Sequence, residues 1–379
     1  MAVPDRAEIA SVAHRAGIDV IGFASAEPFA QTRADLESRR AAGLHAGMSF
    51  TYRNPARSTD PARTVPGARS LVVGARSYRR APAVSPPGAF GAVARYSWTD
   101  HYAPLRHALD AVGELLRDYG WKARTVADDN ALVDRAAAHR AGLGWFGKNT
   151  LLLLPRKGSW FVLGSVITDA PLATSESPVP DGCGSCTRCM AACPTGALAV
   201  PGVLDATKCL AWLLEAPGVF PIQHRVALGG RIYGCDECQE ICPPNRRADR
   251  SDPPLGPGAA EEPFVDLLAI LSASDDQIME RLGRWYVPGR RARYIRRNAL
   301  VALGNVGDGA DPATVSVLVR ALGESDALVR AHAVWAAVRL GRPDLVESAR
   351  DRWHRDRDTV GDDPLVVDEL SRAELAGAR

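Results

Sequence analysis

Eight cysteines constrain this chain more than any other feature, because none stands before Cys183 or after Cys242. The spacing is Cys183-x2-Cys186-x2-Cys189-x3-Cys193-Pro194, then Cys209 alone, then Cys235-x2-Cys238-x3-Cys242-Pro243. Three thiolates so closely spaced can wrap three corners of an iron–sulfur cubane and leave the fourth for a distant cysteine. The first run has the full spacing of bacterial two-cluster ferredoxins, whose motifs exchange their last ligands. By that logic Cys183, Cys186, Cys189 and Cys242 hold one [4Fe–4S] cluster, and Cys193, Cys209, Cys235 and Cys238 hold the other. The second motif is a variant, with its first ligand far ahead of the rest. A disulfide framework suits exported chains, and paired zinc sites usually show two separated Cys-x2-Cys pairs, so the spacing favours clusters. Thr195-Gly196-Ala197-Leu198 reads as a turn and a short strand. Two adjacent clusters make a wire, and a wire needs something at each end.

The chain is 379 residues long, enough for two or three domains. Its start lacks the basic and then apolar pattern of a signal peptide, and no apolar run nears the roughly 20 residues of a membrane span. A cytoplasmic, membrane-free protein is expected, and a monomer. The net charge of +2 gives no global field for polyanions, so any nucleic-acid contact must come from a local patch.

Residues 1–170 alternate helical stretches (4–16, 31–43, 104–119, 131–141) with short apolar runs at 19–24, 70–74 and 160–164, which reads as an α/β domain. They contain no Gly-x-Gly-x-x-Gly fingerprint and no Walker loop. Asp134 has Ala137 and Ala138 at helical i+3 and i+4, a face reduced to methyl groups that could admit a large planar ligand. On residues alone, Asp134 reads as a surface carboxylate beside Arg135 rather than as that ligand's acid, and Lys148 as a solvated lysine.

At the far end, 295–307 and 329–341 align at a fixed offset with a helix near 312–322 between them, the pattern of HEAT-like helix pairs. Arg284, Arg290, Arg291, Arg293, Arg296 and Arg297 cluster just ahead of and inside the first copy. Trp285, Tyr286 and Tyr294 are interleaved, and no acidic residue stands between 284 and 297. Such a patch suits RNA phosphates and stacked bases, or else is a solvated helix face.

Val133-Asp134-Arg135, Gly144-Trp145-Phe-Gly-Lys148-Asn149, the paired cysteine motifs and Gly234-Cys235-Asp236-Glu237-Cys238-Gln239 together resemble the epoxyqueuosine reductase family, over nearly the whole chain. The resemblance implies an α/β cobalamin-binding N-terminal domain (1–170), a ferredoxin-like two-cluster α+β domain (171–247), and all-α HEAT-like C-terminal repeats (264–379) that grip tRNA. It implies reductive removal of the epoxide oxygen of epoxyqueuosine at the tRNA wobble position, with cobalamin fed by two [4Fe–4S] clusters and an external low-potential flavodoxin- or ferredoxin-type donor. Asp134 matches the family's proton donor. Arg57, Ser97, Gly158, Ser159, Asp169, Asp236 and Glu237 look like cofactor contacts. This chain departs from the family pattern at His101-Tyr102-Ala103 and at Pro244. A reductive dehalogenase, which pairs the same cofactors, usually carries an export signal; a plain electron carrier needs neither the first domain nor the repeats.

Overall fold

The computed structural model describes residues 2–50, 52–174, 178–356 and 359–377, with backbone alone for 375–377. It forms two compact units. The first comprises Met1–Ala81, Thr99–Cys209 and Asp236–Gly256; the second comprises Pro82–Trp98, Leu210–Cys235 and Pro257–Arg379. The residues expected as a central domain, 171–247, are divided between these two units.

In the first unit, Val20–Ser25, Ser70–Ser77, Phe161–Thr168 and Ala123–Val126 lie in that order in one sheet. Every pairing is antiparallel. The α/β expectation is thus corrected to an antiparallel α+β layer, because alternating helical and apolar runs reveal which elements exist but not strand direction. Ser70–Ser77 and Phe161–Thr168 are central strands and almost wholly buried, which explains their near-continuous apolar sequence. Helices Arg6–Arg15, Ala30–Ala41, Tyr102–Asp118 and Asp134–Arg140 occur where the periodicity placed them.

The cysteine segment is mostly turn and short helix, Arg188–Ala192 and Glu237–Glu240. The expected strand at 195–198 is replaced by a turn and a single bridge between Val200 and Val203. Four residues without an adjacent partner strand cannot satisfy a ladder.

In the second unit, a small sheet pairs Phe90–Val93 with Arg231–Tyr233 in parallel and with Phe264–Asp266 antiparallel. Tyr233 stacks on Trp285 at 4.6 Å within the same core as Ile295, Leu300, Leu303, Val329 and Val334. Helices Arg293–Val306, Pro312–Leu322, Ala327–Arg339 and Pro343–Asp356 form the expected repeat pairs. Asp311 and Asp326 cap two of them by accepting backbone N–H groups of the first turn. Among the described residues no helix is long and apolar enough to cross a membrane.

Candidate active site

Asp134 opens the short helix Asp134–Arg140. Its Oδ2 accepts a hydrogen bond from Asp128 N at 3.1 Å, while Oδ1 is covered and has no partner. Burial holds the carboxyl well above the usual carboxylate range; the bond from Asp128 opposes the rise, and the neighbouring Asp128 and Asp129 carboxylates add to it. Burial also raises Asp128. Beyond exposed Arg135, Ala136, Ala137 and Ala138 are buried in the core. The expectation of an open methyl-lined shelf is therefore corrected: these alanines let the helix sit tightly on the sheet.

Tyr102 and Tyr78 complete the surroundings, and neither was identified from sequence. Both phenols are raised by burial, Tyr102 further by Asp128, Asp134 and Tyr78, and Tyr78 further by Asp236 and Cys238. His101 is buried with its ring 5.6 Å from that of Tyr78. The departing triplet His101-Tyr102-Ala103 was thus a site signal that spacing could not reveal. Arg57 is exposed in the helix Pro55–Ser58, and Ser58 O accepts from Val133 N at 3.0 Å, so Arg57 and Asp134 belong to adjoining segments.

A hairpin of Trp145–Phe146 and Leu152–Leu153 follows the Asp134 helix and reaches both cysteine motifs. Lys148 Nζ donates to Gly184 O at 2.6 Å, and Asn149 Nδ2 donates to Cys238 O at 3.3 Å. The solvated-lysine reading of Lys148 is corrected accordingly. Trp145 packs with Cys183 and Cys242. A Cβ on Gly182 would stand 2.6 Å from Trp145 Cζ2, so only glycine permits the approach. Trp145 Nε1 is buried without a hydrogen-bond partner, an available donor beside two candidate cluster ligands.

None of the eight cysteines is in a disulfide. Burial pushes the Cys242 thiol up to about 12, a bond from Asn245 N opposes that, and Cys183, Cys189 and Cys186 add to the rise. Cys189 is raised by burial and then by Cys183 and Cys186. These four sulfurs are within electrostatic reach of one another, and they are the first ligand set read from spacing. Cys193 Sγ accepts from Ala197 N at 3.3 Å. Cys193, Cys209 and Cys238 belong to the first unit and Cys235 to the second. Among the described residues no three His, Cys, Asp or Glu side chains could hold a single metal ion, which a cubane with separated corners does not require.

The other expected cofactor contacts are engaged within the fold. Ser159 N donates to Asn245 Oδ1 at 2.6 Å, Asn245 Nδ2 to Ser159 Oγ at 3.1 Å, and Gln239 Nε2 to Tyr78 Oη and Ser159 Oγ, each at 3.1 Å. Gly158 has φ +78°, and a Cβ there would lie 2.0 Å from Asn245 Oδ1. The Gly158–Ser159 turn therefore anchors the second cysteine motif. Asp169 Oδ1 accepts from Lys122 N at 2.8 Å beside the strand end at Thr168. In the second unit, Ser97 is buried and its carbonyl accepts from Arg284 Nη2 at 3.3 Å. Asp236 and Glu237 stand at the start of the helix Glu237–Glu240, with Asp236 near Tyr78.

The arginine patch is reduced. Arg297 is fully buried and donates to the carbonyls of Leu213, Leu214, Ala216 and Gly218 and to Asn298 Oδ1. Burial lowers its pKa to about 9. It is no phosphate contact, and its assignment to the patch is corrected. Arg296 bonds Asp275 Oδ1 and Ala273 O, Arg284 pairs with Glu262, and Arg293 with Asp326. Acids distant in sequence neutralise charges that local sequence left bare. Exposed Arg290 and Arg291 remain, with Tyr286 nearby in the chain and 48% exposed.

Residues 182–245 match a family described as a 4Fe–4S double cluster binding domain, and residues 290–361 match HEAT repeats. The epoxyqueuosine reductase of Bacillus cereus is 32% identical over 366 residues, covering 94% of this chain and 93% of that one. The Staphylococcus aureus enzyme of the same name is 34% identical over 91% of this chain and 90% of its own. A crystal structure of epoxyqueuosine reductase with an epoxyqueuosine-modified tRNA-Tyr stem loop superposes with a TM-score of 0.86 at 29% identity, covering 98% of each chain. The Bacillus subtilis enzyme, described with its Asp134 catalytic loop swung out of the active site, gives 0.84 at 31% identity over 98% of each chain. With relatives of 32–34% identity along nearly its full length, and with its own double-cluster and HEAT segments, the chain belongs to the epoxyqueuosine reductase family.

Proposed function

We propose that this chain removes the epoxide oxygen of epoxyqueuosine at the tRNA wobble position to give queuosine, using a bound cobalamin fed by two [4Fe–4S] clusters. The observation that carries the proposal is the covered, unpartnered Oδ1 of Asp134, on a helix whose following hairpin bonds to both cysteine motifs. The residues fit the groups. Four mutually coupled thiols suit a cluster, Trp145 Nε1 is available to a cluster sulfur, and an unsatisfied carboxyl beside the Arg57 segment suits a ligand in the first unit.

Arg57 and Asp236 would hold cobalamin directly, while Gly158, Ser159 and Asp169 act by fixing the backbone around it. Bound cobalamin supplies a strongly reducing cobalt centre. Converting the epoxide to an alkene and water takes two electrons and two protons. The two cysteine sets would hold clusters able to supply the electrons one at a time from an external low-potential donor. Burial and two neighbouring acids disfavour the Asp134 anion, which favours the protonated carboxyl and suits it to deliver a proton to the departing oxygen. Tyr102 and Tyr78 stay neutral beside it and exclude water. Exposed Arg290 and Arg291 meet tRNA phosphates.

Asp134→Asn should retain iron and corrinoid while turnover falls about 10²–10⁴-fold. Full activity in that variant would remove Asp134 as the proton donor. Absorption and EPR spectra of anaerobically purified protein report clusters and cobalt together; clusters without any capacity to retain a corrinoid would favour a plain electron carrier.

A further inference from the structure

The helix Pro243–Ser251 starts immediately after Cys242, and Pro243, Arg246, Arg247 and Arg250 recur along it at the i, i+3, i+4, i+7 spacing of one face. That face borders a cleft of about 810 Å³ whose other side is formed by the first cysteine loop, including Cys183, Cys186 and Arg188. All four arginines are exposed, whereas Cys183 and Cys186 are half-buried in the wall. Arg246 Nε donates to Glu240 O at 3.0 Å. Asp249 within the helix and Asp252 just past its end both pair with Arg79. Among the described residues Asp181 is the single acid lining the cleft, and its Oδ1 accepts from Cys183 N at 2.9 Å.

Helix stability does not explain these charges. Arg188 is the first residue of Arg188–Ala192, and Arg246 and Arg247 lie near the start of Pro243–Ser251, which has no acid in its first turn. Cations at helix N-termini oppose the helix dipole. Arg188 and Arg246 are kept at a local electrostatic cost beside the thiols of the first ligand set, whereas the dipole favours Arg250 in the last turn.

We propose that this cleft is the docking surface of the electron donor, an acidic one-electron carrier protein, and that electrons enter at the cluster held by Cys183, Cys186, Cys189 and Cys242. The inference rests on the cluster reading above. In each encounter the donor, for example a flavodoxin hydroquinone, loses one electron to become the semiquinone, and an oxidised [4Fe–4S]²⁺ cluster becomes [4Fe–4S]⁺. A basic rim steers an acidic partner and makes the association rate fall with ionic strength, as befits a small, transient redox interface.

The test uses cluster-loaded full-length protein and stopped-flow bleaching of the iron–sulfur absorbance. Reductants are an acidic flavodoxin hydroquinone and the methyl viologen radical cation. The triple variant Arg188→Glu, Arg247→Glu, Arg250→Glu should slow reduction by flavodoxin at low salt by about tenfold and abolish its salt dependence. Reduction by the viologen cation should be unchanged or faster. Where charge reversal costs clusters, the corresponding Gln variants should give a smaller loss in the same direction. An unchanged flavodoxin rate would overturn the proposal, and so would equal slowing with both reductants. Weaker binding of a tRNA stem loop with normal flavodoxin reduction would make the cleft an RNA surface instead. Iron and sulfide counts taken beforehand separate these outcomes from failure of the cluster reading, in which the wild-type chain itself holds no clusters.

Discussion

Asp134 and Arg297 are both ionisable groups withdrawn from water, and the fold treats them in opposite ways. Arg297 reaches four main-chain carbonyls and one side-chain amide oxygen. Asp134 receives one hydrogen bond and leaves a covered oxygen with none. Buried polar groups are normally satisfied, so the exception is where a ligand or a proton belongs. The arginine that sequence placed on a binding surface is an internal brace, and the acid that its own residues read as surface charge, and only the family resemblance as a proton donor, is the reactive candidate.

The largest effect should come from breaking the brace. Arg297→Ala leaves several carbonyls without a donor and should lower unfolding stability by about 3–5 kcal/mol, measured by denaturant titration. A loss under about 1 kcal/mol would erase the contrast. Gly158→Ala combines a left-handed backbone with a Cβ set against Asn245, and should cost about 1–3 kcal/mol and loosen the second cysteine motif. Normal iron content at normal stability would count against that turn as an anchor.

Asp134 should respond in the opposite sense. Its folded-state pKa lies above the unfolded value, so the folded state binds the extra proton, and stability falls as pH rises from the unfolded pKa through the folded one. Asp134→Asn removes that penalty, and should raise the midpoint of thermal unfolding at neutral pH and flatten its decline with pH. A variant less stable than wild type at pH 7 would mean that the carboxylate itself is structurally required. The smallest effect belongs to the exposed arginines. Arg290→Glu with Arg291→Glu should leave stability unchanged, weaken stem-loop binding, and reduce the salt slope by roughly 0.7 per lost phosphate contact. Unaltered affinity would dismiss what is left of the patch.

Elements set by local pattern were legible before any coordinates. Three of the antiparallel sheet's four strands, the helices Tyr102–Asp118 and Arg293–Val306, and the repeat offset all follow from local pattern, whereas the strand Ala123–Val126 was not read from it. Strand direction was not legible, because an apolar run of four to eight residues carries no vector. The arginine patch misled for a related reason. Between 284 and 297 no acid is present in sequence, yet Glu262, Asp275 and Asp326 arrive from other elements.

By itself the sequence determined the ligand chemistry: eight thiols at two-cluster spacing, and a motif set that identifies the family, since covalent spacing limits which thiols can share a cubane. Only the tertiary structure decided which charges remain free. It buried Arg297, paired Arg79 with Asp249 and Asp252, exposed the arginines of the helix after Cys242, and left Asp134 with an unmet oxygen. Desolvation and pairing depend on neighbours far along the chain, and those neighbours exist only once the chain has folded.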